Sequence, residues 1–285
     1  MEGAYGLGAA ALWGTADFTG GVASRRAAPT FVVAVAHGFS LILLFAAALA
    51  LHIALSGYGP YGFLSGIFCG AGLTALYAAL SRGSMGLSAA LSGVLTAIIP
   101  VVYAWLHEGH AEPRRIVGFA VAALAIWLVA YTPQRESSDT ERSRGLWLAV
   151  VAGLCFGAML ILMHMAAARG VLGALITMRI TSTSVAALAG VIFWLGQRQK
   201  NGAGSGFPTG KLLLLAMLAG ILDTSGNLLY LFASLTGRLD VSAVLSSLYP
   251  AGTMLLAAWL LRERATRTQA AGMVLALAAV ALITF

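Results

Sequence analysis

The chain has 285 residues, of which 60% are hydrophobic and 9% charged, and a net charge of +7. A water-soluble domain carries about 25% charged residues, so this composition excludes one and places the chain in a lipid bilayer. The 17 Lys and Arg residues are scattered through short loops and form no basic patch or basic helix, which excludes nucleic acid as a partner.

A hydrocarbon core of about 30 Å needs about 20 helical residues. Runs of that length between charged or Gly/Pro-rich breaks predict ten spans, near 4–24, 30–54, 61–81, 85–106, 114–132, 145–168, 171–196, 211–235, 240–261 and 267–285. The opening MEGAYGLGAAALWG has no basic n-region and no clear cleavage site, so it reads as a first span rather than a signal peptide. Cys69 and Cys155 both lie inside apolar runs and read as packing residues. Two cysteines make no metal framework, and no cofactor is implied. The long polar stretches are Thr132–Arg144 and Gln197–Lys211, and the first divides the spans five and five.

Spans four and nine are related. Sliding Ser88–Glu108 by 154 residues onto Ser242 pairs Ala89 with Ala243, Leu91 with Leu245, Ser92 with Ser246 and Ala104-Trp105-Leu106 with Ala258-Trp259-Leu260. The same offset pairs Gly66, Gly72, Ala79 and Gly83 with Gly220, Gly226, Ala233 and Gly237, and Gly118 with Gly272. One register holding over more than 50 positions is an internal repeat. Five spans are an odd number, so the copies insert in opposite orientations about an axis in the membrane plane. The expected organisation is a first repeat over 1–132, a linker over 133–144 and a second repeat over 145–285. Such a chain already contains its own pseudo-dimer, and we expect a monomer. Loops after odd-numbered spans hold 12 Arg and Lys residues and loops after even-numbered spans hold 4, which puts both termini outside the cytoplasm.

Polar side chains within spans face partner helices or a wet cavity, because facing hydrocarbon is expensive. In span eight, Asp223, Asn227, Tyr230 and Ser234 share one helical face. Their repeat partners are Cys69, Leu73, Leu76 and Leu80, so the shared scaffold does not require this stripe. Span nine carries Ser242, Ser246, Tyr249 and Thr253 beside Pro250, where a kink and a free carbonyl are expected. Span four carries Ser88, Ser92 and Thr96 near Pro100. For each stripe the plain alternative is helix-to-helix hydrogen bonding.

Asp17 follows Trp13 by four residues on one face of span one, suited to a substrate ammonium or a proton, or to a wet interface. Arg179 fits pairing with Asp223 or snorkelling better than a substrate carboxylate. His164 and His37 are more often packing residues than proton carriers, and His164 is kept among the site candidates. Trp13, Tyr77, Tyr103, Tyr230 and Tyr249 fall within spans and could stack on a flat substrate. Trp105, Trp127, Trp147, Trp194 and Trp259 sit nearer span ends, as an interfacial belt does. Gly62, Gly66 and Gly70, and likewise Gly153 and Gly157, are spaced for close helix packing.

The opening Leu12-Trp13-Gly14, the ten spans, the five-plus-five repeat and the Trp-Leu endings of spans four and nine resemble the EamA type of the drug/metabolite transporter superfamily. Within it the chain looks most like bacterial exporters of aromatic amino acids. The resemblance implies an all-α membrane protein: ten helices around a central cavity, exporting small metabolites across the plasma membrane, the bacterial inner membrane. It also implies termini in the cytoplasm, against the loop charges. A multidrug or other metabolite exporter is the alternative within that fold, and a channel or an intramembrane enzyme the alternative outside it. His107-Glu108-Gly109-His110 is one residue short of the H-E-x-x-H spacing that sets two imidazoles on one helix face, and no catalytic or metal residues are assigned. The site candidates are thus Trp13, Asp17, Tyr77, Ser92, Thr96, His164, Asp223, Asn227, Tyr230, Ser246 and Tyr249.

Overall fold

The computed structural model describes residues 1–53, 59–82, 85–109, 111–130, 139–201, 209–260 and 266–284. Among them are eleven helices: α1 (Glu2–Ser24), α2 (Pro29–Ala50), α3 (Pro60–Arg82), α4 (Met85–His107), α5 (Pro113–Ala130), α6 (Asp139–Ala167), α7 (Val171–Asn201), α8 (Gly210–Thr236), α9 (Leu239–Ser246), α10 (Tyr249–Leu260) and α11 (Arg267–Thr284). Pro29, Pro60 and Pro113 each open a helix, where the missing N–H has no partner to lose. The linker up to residue 138 lies outside the described residues, as do His110 and residues 202–208 of the second polar stretch; Asp139–Arg144 already belongs to α6.

The single kinked span expected over 240–261 is two helices. Helix α9 ends at Ser246, and α10 starts at Tyr249 with Pro250 as its second residue. Pro250 has no N–H to continue the ladder of α9. Pro100, by contrast, sits within an unbroken α4.

Among the described residues, seven spans are long and apolar enough to cross a membrane: Pro29–Ala50, Pro60–Ser81, Ser88–His107, Ser143–Ala167, Val171–Gly196, Gly210–Thr236 and Leu239–Leu256, the last running through α9 into α10. Helix α1, rich in Gly and carrying Glu2 and Asp17, is not among them, nor is α5 with Arg114 and Arg115 in its first turn. Large apolar side chains such as Ile42, Leu188, Ile192, Phe193 and Leu214 point outward, as do Trp127, Trp147, Trp194 and Trp259. Inside, by contrast, Asp17, His37, Arg179, Asn227 and Asp240 are buried. Polar groups within and apolar groups without is the arrangement a bilayer demands.

The helices pack in matched pairs. Helix α1 lies along α8, and α6 along α3; α2 packs on α7 and α8, and α7 on α2 and α3; α5 packs on α11. Helix α4 lies on α6, while α9 and α10 together lie on α1. The glycine runs mark the closest approaches. Gly62, Gly66 and Gly70 face Thr177, Met178 and Ser182 of α7, and Gly153 and Gly157 face Ser92, Leu95 and Ile99 of α4.

Candidate functional site

Near the middle of the bundle lies a small, partly open cavity. Its wall is built from both halves of the chain. Trp13 and Asp17 come from α1, Cys69 and Leu73 from α3, and Thr96 from α4; Phe156, Met159 and Leu160 come from α6, Asp223 and Asn227 from α8, and Tyr249 from the first turn of α10. Two glycines at the 154-residue offset place the two rings. A Cβ on Gly226 would meet the Trp13 indole, and one on Gly72 would meet the Phe156 ring, so both rings enter against bare backbone.

Trp13 is the hub of the aromatic side. Its ring stands edge-on to Tyr249, centroids 6.5 Å apart, and tilted against Tyr230 at 5.8 Å. Its Nε1 donates to the Asp223 carbonyl at 3.3 Å, tying α1 to α8. The Tyr249 hydroxyl donates to Ser92 Oγ at 3.1 Å, and Thr96 Oγ1 donates to the Ser92 carbonyl at 2.8 Å.

Asp223 lies between the cavity and a buried cluster of charges. Arg179 Nη2 donates to its Oδ2 at 2.5 Å, Asn227 Nδ2 donates to the same oxygen at 3.3 Å, and His37 Nε2 stands 3.5 Å from it. The last is an electrostatic contact, since neither ring nitrogen of His37 has a hydrogen-bond partner. Arg179 is fully buried; its Nε donates to Thr224 Oγ1 at 3.0 Å, and Nη1 lies 3.6 Å from Cys69 Sγ. The pairing of Arg179 with Asp223 is one of the two roles the sequence favoured for it, the other being snorkelling, whereas the part of His37 was missed. Gly220 rests against the Ala36 carbonyl and its repeat partner Gly66 against the Met178 carbonyl. His37 and Arg179, the residues that follow, therefore hold corresponding places in the two halves and converge on one carboxylate.

Asp17 is 5% exposed and lines the cavity, and no described residue hydrogen-bonds or ion-pairs with its carboxylate.

The other site candidates stand behind the wall. Tyr230 is fully buried behind Trp13, with its hydroxyl donating to the Leu160 carbonyl at 3.3 Å. Tyr77 is buried against Gly20, its hydroxyl 3.3 Å from the Ala16 carbonyl. Ser92 forms a layer beneath Tyr249, and Ser246 Oγ donates to the Gly6 carbonyl at 3.4 Å, joining α9 to α1. His164 lies outside the lining with a buried Nδ1 that has no partner. Cys69, Leu73, Phe156, Met159 and Leu160 were not anticipated. Phe156 alone carried a signal, since Cys155-Phe156-Gly157 echoes Leu12-Trp13-Gly14.

A second polar assembly closes the bundle at the face that carries the N-terminus of α1. Arg238 forms a two-pronged bond to Asp240, Nε to Oδ1 at 3.0 Å and Nη2 to Oδ2 at 2.9 Å, and Nη2 also reaches the Gly109 carbonyl at 2.8 Å. Gly109 holds φ +84, a left-handed conformation that glycine adopts without strain. Hydrogen bonding to Asp240 raises the Arg238 pKa, keeping the guanidinium charged. Glu2 Oε2 accepts the Arg238 N–H at 2.9 Å and Glu108 Oε2 accepts that of Leu239 at 3.4 Å, so two carboxylates meet the start of α9. Helices α1, α4 and α9 are stapled together there.

A family model described as the EamA-like transporter family matches residues 143–285. Among solved structures, a crystal structure of a protein 16% identical in sequence superposes with a TM-score of 0.79, covering 99% of this chain and 96% of the other, which shows a shared fold. None of the curated proteins compared with the chain matches it.

Proposed function

Because the chain belongs to the EamA-like transporter family, we propose that it is a secondary transporter that exports a small metabolite across the plasma membrane by alternating access. The class to test first is amino acids with an aromatic or other apolar side chain. The observation that carries this reading is the cavity itself. It lies near the midpoints of α1, α3, α4 and α8, is walled from both halves, and combines the Trp13, Phe156 and Tyr249 rings with the Asp17, Asp223 and Asn227 polar groups. A site at the meeting of two related halves is where a carrier of this kind holds its cargo. The matched helix pairs support ten spans in two inverted repeats, with α9 and α10 as one interrupted span; the monomer is proposed because such a chain already contains its own pseudo-dimer.

The test is counterflow in proteoliposomes loaded with phenylalanine. Saturable exchange of external labelled phenylalanine is expected, falling about tenfold or more in Trp13→Ala and Tyr249→Ala at equal protein levels, as loss of a buried aromatic contact should cause. Non-saturating flux would mean a channel, and unchanged exchange in both variants would move the site elsewhere.

We also propose, from the loop charges, that the face stapled by Arg238 is extracytoplasmic. A cysteine at the exposed Thr236, beside Arg238 on that face, in the Cys69→Ala/Cys155→Ala background, should then react with an impermeant maleimide applied to intact cells. Labelling that needs permeabilised cells would reverse the orientation.

A further inference from the structure

Among the described residues, the cavity wall holds two acidic side chains and no basic one. Asp17 and Asp223 are both in the lining; Arg179 and His37 are not, and both are fully buried. Arg179 is in contact with Asp223, Thr224 and Cys69, so it balances Asp223 from behind and offers nothing to a ligand in front. With Arg179 holding Asp223 from behind, Asp17 is the acidic side chain of the wall that has no partner among the described residues.

The hydrogen-bonding groups are equally one-sided. The donors in the wall are engaged: Trp13 Nε1 with the Asp223 carbonyl, Thr96 Oγ1 with the Ser92 carbonyl, Tyr249 with Ser92 Oγ, and Asn227 Nδ2 with Asp223 Oδ2. The second amide hydrogen of Asn227 and the weakly donating Cys69 thiol are the remaining donors. The acceptors are not engaged. No described residue bonds to either oxygen of Asp17 or to Asp223 Oδ1, and Asn227 Oδ1 is buried without a partner. Reversing the Asn227 amide would set its oxygen against Asp223 Oδ2, so this orientation is the favourable one.

A ligand must supply what such a wall lacks. An ammonium brings a positive charge and three donors. A carboxylate brings a negative charge and more acceptors, and burying it without a partner is costly. We infer that the cavity recognises an organic ammonium carried on a flat apolar body, and discriminates against a free carboxylate. Its preferred substrates are then aromatic or similar apolar amines, or amino acids whose carboxyl group is removed or blocked, with zwitterionic amino acids held more weakly. The ammonium sits between Asp17 and the open side of Asp223, and the apolar body lies among Trp13, Phe156 and Tyr249. This rests on the transport reading above and narrows its substrate class.

The experiment is equilibrium competition against labelled 2-phenylethylamine on the purified protein in nanodiscs, with phenylalaninamide, phenylalanine and 3-phenylpropionate as competitors. The two carboxylate-free amines should bind roughly tenfold or more tighter than phenylalanine, the scale of a single charge-assisted hydrogen bond, and 3-phenylpropionate should not compete. Asp17→Asn should reduce the preference to within about twofold, and Asp17→Glu should retain it. The ranking in the unmodified protein decides the matter if Asp17→Asn does not fold. Phenylalanine binding as tightly as the amines, competition by 3-phenylpropionate, or no binding by any probe would overturn the inference. Counterflow with the same ligands separates the two readings: amine-selective binding without exchange of any ligand would overturn transport and leave the recognition rule, and exchange without amine preference would do the reverse.

Discussion

Replacing Arg179 with alanine should destabilise the protein by about 3–5 kcal/mol, the cost of leaving a buried charge without its partner. Arg179 has no exposed surface, and its loss leaves the Asp223 carboxylate facing only Asn227 and the 3.5 Å contact with His37. Asp223→Ala should be comparably harmful, because it strands a guanidinium held otherwise by Thr224 Oγ1 and Cys69 Sγ. The double variant Arg179→Met/Asp223→Leu removes both charges and fills their volume, and it should recover most of the loss. Unfolding by sodium dodecyl sulfate in mixed micelles, followed by circular dichroism, measures all three. A double variant as unstable as the worse single one would show that the pair is not acting as a unit.

Gly220→Ala should be nearly as damaging, although it adds one methyl group. The new Cβ would fall on the Ala36 carbonyl oxygen, and backbone cannot swing aside as a side chain can. Helices α8 and α2 must move apart, at a cost of about 1–3 kcal/mol for overpacking, and His37 moves with α2 away from Asp223. Gly66→Ala should do the same at the crossing of α3 and α7, where the Met178 carbonyl takes the corresponding place. Gly145→Ala is the control, since nothing lies within 4 Å of a Cβ there. Equal melting temperatures for all three variants would mean that the helices tolerate separation at these crossings.

The fold was legible because its closest approaches are glycines and glycine spacing survives in a sequence. Gly66 and Gly72, with Gly220 and Gly226, carried the repeat, and each rests on a backbone or ring of the other half. The kinship of His37 and Arg179 was hidden. Their separation is 179 − 37 = 142 residues and that of Trp13 and Phe156 is 156 − 13 = 143, against 154 further along. The extra residues of α7 and the stretch after it shift the register, and a gapless comparison cannot cross them. Of the site, the polar half could be read, since Asp17, Asp223 and Asn227 are too costly in lipid to be incidental. Its apolar wall could not, because Leu73, Phe156 and Met159 look the same in a sequence whether they face a cavity or a lipid tail. Tyr230 shares a helical stripe with Asp223 and Asn227, yet it ends against Trp13 and the Leu160 carbonyl. A stripe specifies a direction around the helix and says nothing of what already occupies the space.

The gap between α9 and α10 has a kinetic consequence. Gly14 and Gly93 grip it from either side, the first against the Tyr249 carbonyl and the second against Pro250 and the Ser247 carbonyl. Helix α9 flanks the stapled face, and its counterpart at the opposite face is the first half of α4, which runs unbroken through Ser92 and Leu95. Bending at Ser247–Leu248 disturbs a ladder that is already interrupted, whereas bending α4 breaks backbone hydrogen bonds that are intact. In the alternating-access reading proposed above, the two faces therefore open on springs of different stiffness. A carrier without an energy source must bring its cargo to the same balance from either side, but nothing obliges the two crossings to take equal time.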